Sequence, residues 1–226
     1  MVIGIDFSIK SPAVCIATND GNLSFQSFAR NSVIKKDTEL ALSNAGVIVH
    51  VISDEPLLPK KSPIGDRERS SLIDAINQTN IIVNSLQVAK TVDLNKKEPG
   101  HLRNEWFFGI EGFSFGSTGN RLTQLSGYQW VLRYRLLADI DLQPDNFFVF
   151  APMTVKATAG KGNFKKEQMI DAFLEADDQR LKQCSFWHAL RDSPAEFQTR
   201  TGKWLKPIDD LVDSYWVLRT VENALI

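Results

Sequence analysis

Four acidic residues stand where divalent-cation chemistry needs them: Asp6, Glu111, Asp210 and Asp213. Asp6 closes the run Met1-Val2-Ile3-Gly4-Ile5-Asp6, and Glu111 closes Phe107-Phe108-Gly109-Ile110-Glu111. Both runs are apolar and β-prone, so each acid falls at a strand end. Asp210 and Asp213 open the run Asp210-Leu211-Val212-Asp213-Ser214-Tyr215-Trp216. Three residues apart on a helix, both carboxylates point to one side. Magnesium prefers hard oxygen ligands, a few carboxylates completed by water and substrate phosphate. Two such ions ~3.5–4 Å apart can activate a water, stabilise a leaving oxygen and neutralise a phosphate in transit. That chemistry needs no histidine, and His50, His101 and His188 are scattered without ligand spacing.

Each acid also has a plainer explanation. An acid after a strand is commonly a turn former or helix cap, which would account for Asp6. Asp210 and Asp213 could form a solvated first helical turn, where acids complement the helix dipole. Asp209 competes with Asp210, since either could cap the helix or face the cations. Glu111 is harder to explain away, because a carboxylate between an apolar strand and a glycine-rich loop has no packing role.

The elements that must position these residues follow from periodicity. Residues 2–7, 13–17 and 23–28 read as strands, the last two separated by the turn Asn19-Asp20-Gly21-Asn22, which predicts an antiparallel meander. Residues 46–52 fit either a strand or part of a helix, and a proline-rich loop follows from Glu55 to Pro63. Apolar spacing predicts a helix over 67–90, capped by Asp66 or an upstream polar residue. A polar loop over 96–104 leads to a strand at 106–110, a Gly/Ser/Phe-rich loop over 112–119 and a helix over 120–137. Residues 147–150 form a further strand, and Pro152 suits the first position of a short helical turn over 152–157. Helices are expected over 165–175 and 208–224, while 177–206 is polar with no clear period. The order is an α/β pattern with an antiparallel start and later strand–helix crossovers.

The chain has 226 residues, 43% of them hydrophobic, which suits one globular domain. No apolar run approaches membrane-spanning length, and no basic region precedes an apolar stretch at the start, so neither a span nor a signal peptide is expected. Cys15 and Cys184 lack zinc-type spacing, and Cys15 is expected to be a buried thiol, which fits a reducing, cytoplasmic setting. The net charge of -1 is unlike that of most proteins that track a DNA backbone, so attraction to phosphate must come from local patches. One such patch is Lys156, Lys161, Lys165 and Lys166 around Gly160 and Gly162. Glycines let backbone approach phosphate and lysines supply charge, although a solvated loop and helix start would look the same. The spacing is not that of a P-loop. Arg121, Arg133 and Arg135 either extend the positive surface or form the solvent face of their helix. Trp187 and Trp204 are open between base stacking and packing, whereas Trp216 has apolar helical neighbours and is expected in the core.

Four stretches together resemble the RuvC-type Holliday junction resolvases of the ribonuclease H-like (retroviral integrase) superfamily. Gly4-Ile5-Asp6-Phe7-Ser8-Ile9 resembles the opening strand with its first acid, and Gly109-Ile110-Glu111-Gly112-Phe113 the second-acid motif. The segment from Pro152 through Val155-Lys156, Gly160-Lys161-Gly162 and Lys165-Lys166 to Gln168 is similar to the family's lysine–glycine run. Asp210-Leu211-Val212-Asp213 resembles the terminal acid pair. The stretches come in the family's order and span nearly the whole chain.

The resemblance implies a ribonuclease H-like fold, a mixed five-stranded sheet with antiparallel first three strands flanked by helices. It implies one nuclease domain over residues 1–226, with insertions near 30–65 and 177–206. It implies a homodimeric endonuclease that nicks branched DNA, such as Holliday junctions, with two Mg2+ ions, Mn2+ being a possible substitute. By motif position Asp6, Glu111, Asp210 and Asp213 would be the metal ligands, and Lys156 and Lys166 the DNA-contacting lysines, with Lys161 and Lys165 beside them. Phe113 or Phe115 falls near the family's aromatic wedge, and a side chain inserted between bases offsets part of the unstacking cost. Departures include the two longer segments, a spacing from Lys156 to Lys166 one residue short of the usual pattern, and a less basic balance of charge. With these departures the resemblance implies a divergent member, of bacteriophage or viral type, expected in the cytoplasm of a bacterium or an infected bacterial host.

Three other readings compete. The same fold could cut RNA–DNA hybrids, flaps or forks. It could bind branched DNA without cutting it, although the presence of all four acids argues against that. An actin-like ATPase also opens with a strand and an aspartate, but the glycine loops that fold needs are missing.

Overall fold

In this computed structural model the described residues are 1–54, 58–59, 61–95, 105–112 and 120–226. In chain order the elements are β1 (Val2–Asp6), β2 (Ala13–Ala17), β3 (Leu23–Arg30), α1 (Lys36–Asn44), β4 (Ile48–Ile52), α2 (Ile64–Asn95) and β5 (Phe107–Glu111). They continue with α3 (Asn120–Asp139), β6 (Phe147–Phe150), α4 (Pro152–Ala159), α5 (Lys166–Glu175), α6 (Ser185–Asp192) and α7 (Ile208–Ala224).

One mixed sheet runs in the order β4-β3-β2-β1-β5-β6. β1 to β3 form the expected antiparallel meander, and β4, β5 and β6 add in parallel. The sheet therefore has six strands rather than five. The extra one is β4, at the edge, from the segment whose sequence fitted either strand or helix. Its β-branched residues Ile48, Val49, Val51 and Ile52 favour a strand. Gly46, at φ 80°, supplies the left-handed turn that ends α1 and sends the chain back. Asp66 lies inside the first turn of α2 rather than capping it, because that helix starts at Ile64, directly after Pro63.

Period-2 alternation splits the strands between two layers. Ile3, Ile5, Val14, Ile16, Phe28, Phe108 and Ile110 face α2 and α3. On α3, Tyr128, Leu132 and Leu136 recur at helical spacing and are all buried. Ala13, Cys15, Phe25 and Ala29 face the other way, toward α7. That helix is buried almost all round, through Leu211, Val212, Tyr215, Trp216, Val217 and Leu218. Such a helix needs a second layer outside it, and α4 and α5 supply it.

Residues 177–206 are less polar in role than in composition. They hold α6 and short 3-10 turns, and Phe186, Leu190 and Phe197 enter the α7-side core. Trp187 belongs to this core: it is buried, and its indole N–H donates to the Phe173 carbonyl at 3.1 Å. It is therefore not free to stack on bases. Trp204 is half-buried against the same core, and Trp216 is inside it, as expected. The 3-10 turn Pro194–Phe197 also touches α1, so the two segments read as insertions lean on each other. Among the described residues no helix is long and apolar enough to cross a membrane. Cys15 and Cys184 are both free and buried.

Candidate active site

Asp6 and Glu111 are the last residues of β1 and β5. These strands are parallel neighbours with Ile5 opposite Ile110, which brings both acids to the same strand ends. Alternation then sends both to the α7 face, because Ile5 and Ile110 occupy the other one. Ligand sites in open α/β sheets gather at such carboxyl ends.

The α7 acids reach them because two glycines let the helix come close. Gly4 and Gly109 are register partners, each two residues before its acid. A Cβ on Gly4 would lie 2.1 Å from the Ser214 carbonyl oxygen and 2.3 Å from the Leu218 nitrogen. One on Gly109 would lie 2.3 Å from Val221 Cγ2. Only glycine permits the backbone-to-backbone approach at Gly4, and at Gly109 the side chains of α7 fill the space a Cβ would take. The first turn of α7 carries Asp209 and Asp210, both buried, and Asp213 follows one turn on, half-buried.

The four predicted acids lie near enough to one another to interact electrostatically. Burial pushes the Asp6 carboxyl well above the usual carboxylate range, and Asp210, Asp213 and Glu111 push it further, against Lys206. Burial raises Asp213 to about 7, aided by Glu111, Asp210 and Asp209 and opposed by Lys166. Asp210 is raised by burial and by Asp209, while Lys206 and Ser11 favour its ionised form. Glu111 is raised by burial and eased by Lys156 and Lys166. Asp209 goes the other way. Burial would raise it, but Lys206 and Lys166 more than compensate and hold it low.

Of the predicted lysines, Lys156 and Lys166 come to the acids. Lys166 pairs with Asp209, and both lysines act on Glu111. Lys161 and Lys165 are exposed on the glycine loop and at the start of α5. Arg135 turns to Asp139 and Asn80, and Arg133 reaches Gln129, so both are tied into the helical layer. Phe113 and Phe115 lie outside the described residues.

Two site residues escaped the sequence reading. Lys206 bridges Asp209 at 2.8 Å and Asp210 at 2.5 Å. Its position four residues before Asp210 was a visible signal. Ser11 donates its hydroxyl to Asp210 Oδ2; a serine five residues after Asp6 carries no signal of its own.

The donor set suits a hard divalent cation: all oxygen, mutually repelling and crowded into low dielectric. Among the described residues, however, no three of these side chains converge as a ready-made cation site. The lysine pairs account for part of that, since Asp209 and Asp210 point their oxygens at Lys166 and Lys206.

No family model and no curated protein matches the chain. Among solved structures the similarity is to Holliday junction resolvases and RuvC. A Thermus thermophilus RuvC structure is 13% identical at a TM-score of 0.43, covering 100% of this chain and 96% of that one. The crystal structure of the yeast mitochondrial Holliday junction resolvase, Ydc2, is 9% identical at a TM-score of 0.37, covering 97% and 76% respectively.

Proposed function

We propose that the chain is a divalent-metal-dependent endonuclease that resolves Holliday junctions or related branched DNA as a homodimer. On this reading residues 1–226 form one nuclease domain, with insertions near 30–65 and 177–206. What supports the proposal is the placement of Asp6 and Glu111 at neighbouring strand ends facing α7, which carries Asp210 and Asp213, with each of the four carboxyls raised by burial. Buried like charges at this density are costly unless a cation joins them. The choice of branched DNA rests on the four sequence stretches that resemble junction resolvases.

Asp6, Glu111, Asp210 and Asp213 would hold Mg2+ or Mn2+. When bound, the metal supplies Lewis-acid polarisation of the phosphate and activation of water. The protein's own groups do the rest. Lys156 and Lys166, beside Glu111, draw a phosphate toward the acids. Lys161 and Lys165 extend that attraction along the exposed loop. Lys206 attracts the Asp209 and Asp210 carboxylates and moderates their repulsion. Asp209 pairs with both lysines, whereas Asp210 pairs with Lys206 alone, which favours Asp210 as the ligand of the adjacent pair.

The test is cleavage of a labelled four-way junction with Mg2+ by the wild type and by Asp6→Asn. Wild-type cleavage, abolished in the variant with junction binding retained, supports the proposal. Undiminished cleavage by Asp6→Asn sinks it. Parallel RNA–DNA hybrid, flap and fork substrates show which nucleic acid is preferred, and manganese titration shows whether a metal binds.

A further inference from the structure

The turn after Asp6 is anchored on both of its sides. On the α2/α3 side, the Ile9 carbonyl accepts hydrogen bonds from Arg30 Nε at 3.0 Å and Gln78 Nε2 at 2.9 Å. Arg30 is buried and pairs with Asp74 at 2.6 Å, and Asp74 also accepts from the Tyr128 hydroxyl. The backbone N–H of Arg30 donates to Lys10, and that of Phe28 to Pro12. Within the turn, the Ser11 N–H donates to Ser8 Oγ at 3.0 Å. Ser11 is 2% exposed, and its hydroxyl is aimed through the sheet end at Asp210, itself 3% exposed.

From this arrangement we infer that Ser11 is a positioning residue for Asp210, and that Arg30, Asp74 and Gln78 form the anchor that keeps Ser11 in place. The inference rests on the nuclease reading and deepens it. A carboxylate at the start of a helix can swing about χ1 and χ2. Asp210 is held at both oxygens, Oδ1 by Lys206 and Oδ2 by Ser11. The ammonium contributes attraction but little direction, because it sits at the end of a flexible four-carbon stem. The serine hydroxyl sits on a short side chain whose backbone is fixed by the hydrogen bonds just described. Ser11 therefore supplies the direction. The anchor also links the layers: Asp74 and Gln78 come from α2 and Tyr128 from α3, whereas Asp210 lies on α7 across the sheet.

The experiment compares full-length wild type, Ser11→Ala, Ser11→Thr and Gln78→Met. Each is assayed for Mn2+ binding by calorimetry, for single-turnover cleavage of a four-way junction, and for thermal unfolding. Partners that orient metal ligands typically contribute about 10–100-fold to metal affinity or rate. Ser11→Ala should therefore weaken Mn2+ binding and slow cleavage by roughly tenfold, with junction affinity unchanged. Ser11→Thr keeps the hydroxyl and should restore most of both. Gln78→Met loosens the turn without touching Asp210 and should show a smaller loss in the same direction. Wild-type values in Ser11→Ala overturn the inference, as does a loss that Ser11→Thr fails to rescue. In both cases the wild type still binds metal and cuts, so the nuclease reading survives. A wild type that neither binds Mn2+ nor cuts any branched substrate overturns the nuclease reading and this inference with it.

Discussion

The two ends of α7 handle buried charge in opposite ways. At its start, Asp6, Glu111, Asp210 and Asp213 crowd together, and three lysines (Lys156, Lys166 and Lys206) only partly offset them. Near its end, Asp178 and Glu222 are matched by Arg180 and Arg219. Arg180 bonds Asp178 at 2.7 Å and Glu222 at 2.6 Å, and the Tyr215 hydroxyl adds a bond to Asp178 at 3.1 Å. Burial works against ionised Asp178, yet Arg180 and Tyr215 hold its carboxyl down at about 2. One helix thus carries a satisfied cluster that stabilises the fold and an unsatisfied one that strains it. A chain able to neutralise charge at one end has left it unbalanced at the other, which is where a cation-dependent function would need it.

The contrast can be broken first at the satisfied end. Removing one partner of a buried ion pair strands the other, at a cost of about 3–5 kcal/mol. Asp178→Ala leaves Arg180 and Arg219 to share Glu222, so a loss near the low end, about 3 kcal/mol, is expected by urea denaturation. The unsatisfied end should respond with the opposite sign. Asp213→Asn removes a repelling charge and should stabilise the metal-free protein by about 1 kcal/mol while abolishing cleavage, the usual trade between stability and function. Adding Mg2+ should then stabilise the wild type more than the variant. If Asp213→Asn is destabilising without metal, the two ends do not differ as argued.

A smaller effect, in pH, sharpens the same comparison. An aspartate titrates near 4 in the unfolded chain. Asp213, raised to about 7 in the fold, contributes stability that is present below about pH 4 and is lost as pH rises through 7. Asp178, lowered to about 2, contributes stability that is present above about pH 4 and is lost as pH falls toward 2. Metal-free unfolding should therefore be most resistant in mildly acidic buffer. Asp213→Asn should flatten the neutral limb of the curve, and Asp178→Asn the acid limb.

Much of this was legible in the chain. Strands β1, β2, β5 and β6 and helices α3, α5 and α7 fall where periodicity puts them, because each has one dominant apolar pattern. The placement of the acids in the elements was legible too, since each ends or opens such a pattern. β4 was ambiguous because a short β-branched run suits either a strand or a buried helix turn. Residues 177–206 were misleading: Phe186, Trp187, Leu190 and Phe197 enter the core from a short helix and turns, so no long period announces them. Trp187 shows the cost, since an aromatic in a polar stretch invites a binding role that its buried indole cannot play. Ser11 and Lys206 were hidden for another reason. Their roles depend on residues 199 and 4 positions away, and only the first of those distances exceeds what a local pattern can reveal. Lys206 could have been found by asking which cation sits one turn before the acids.

The register-paired glycines have a consequence for how such a site can fail. A helix resting on an even carpet of side chains can slide by a residue at modest cost. Here the two bare positions in β1 and β5 act as a notch, and α7 has one seat in it. Advancing the helix by one residue would rotate its acids by ~100° away from the strand ends and drive Ser214 and Leu218 off Gly4. Docking α7 out of register would therefore displace its acids from the strand ends as well as unseating the helix.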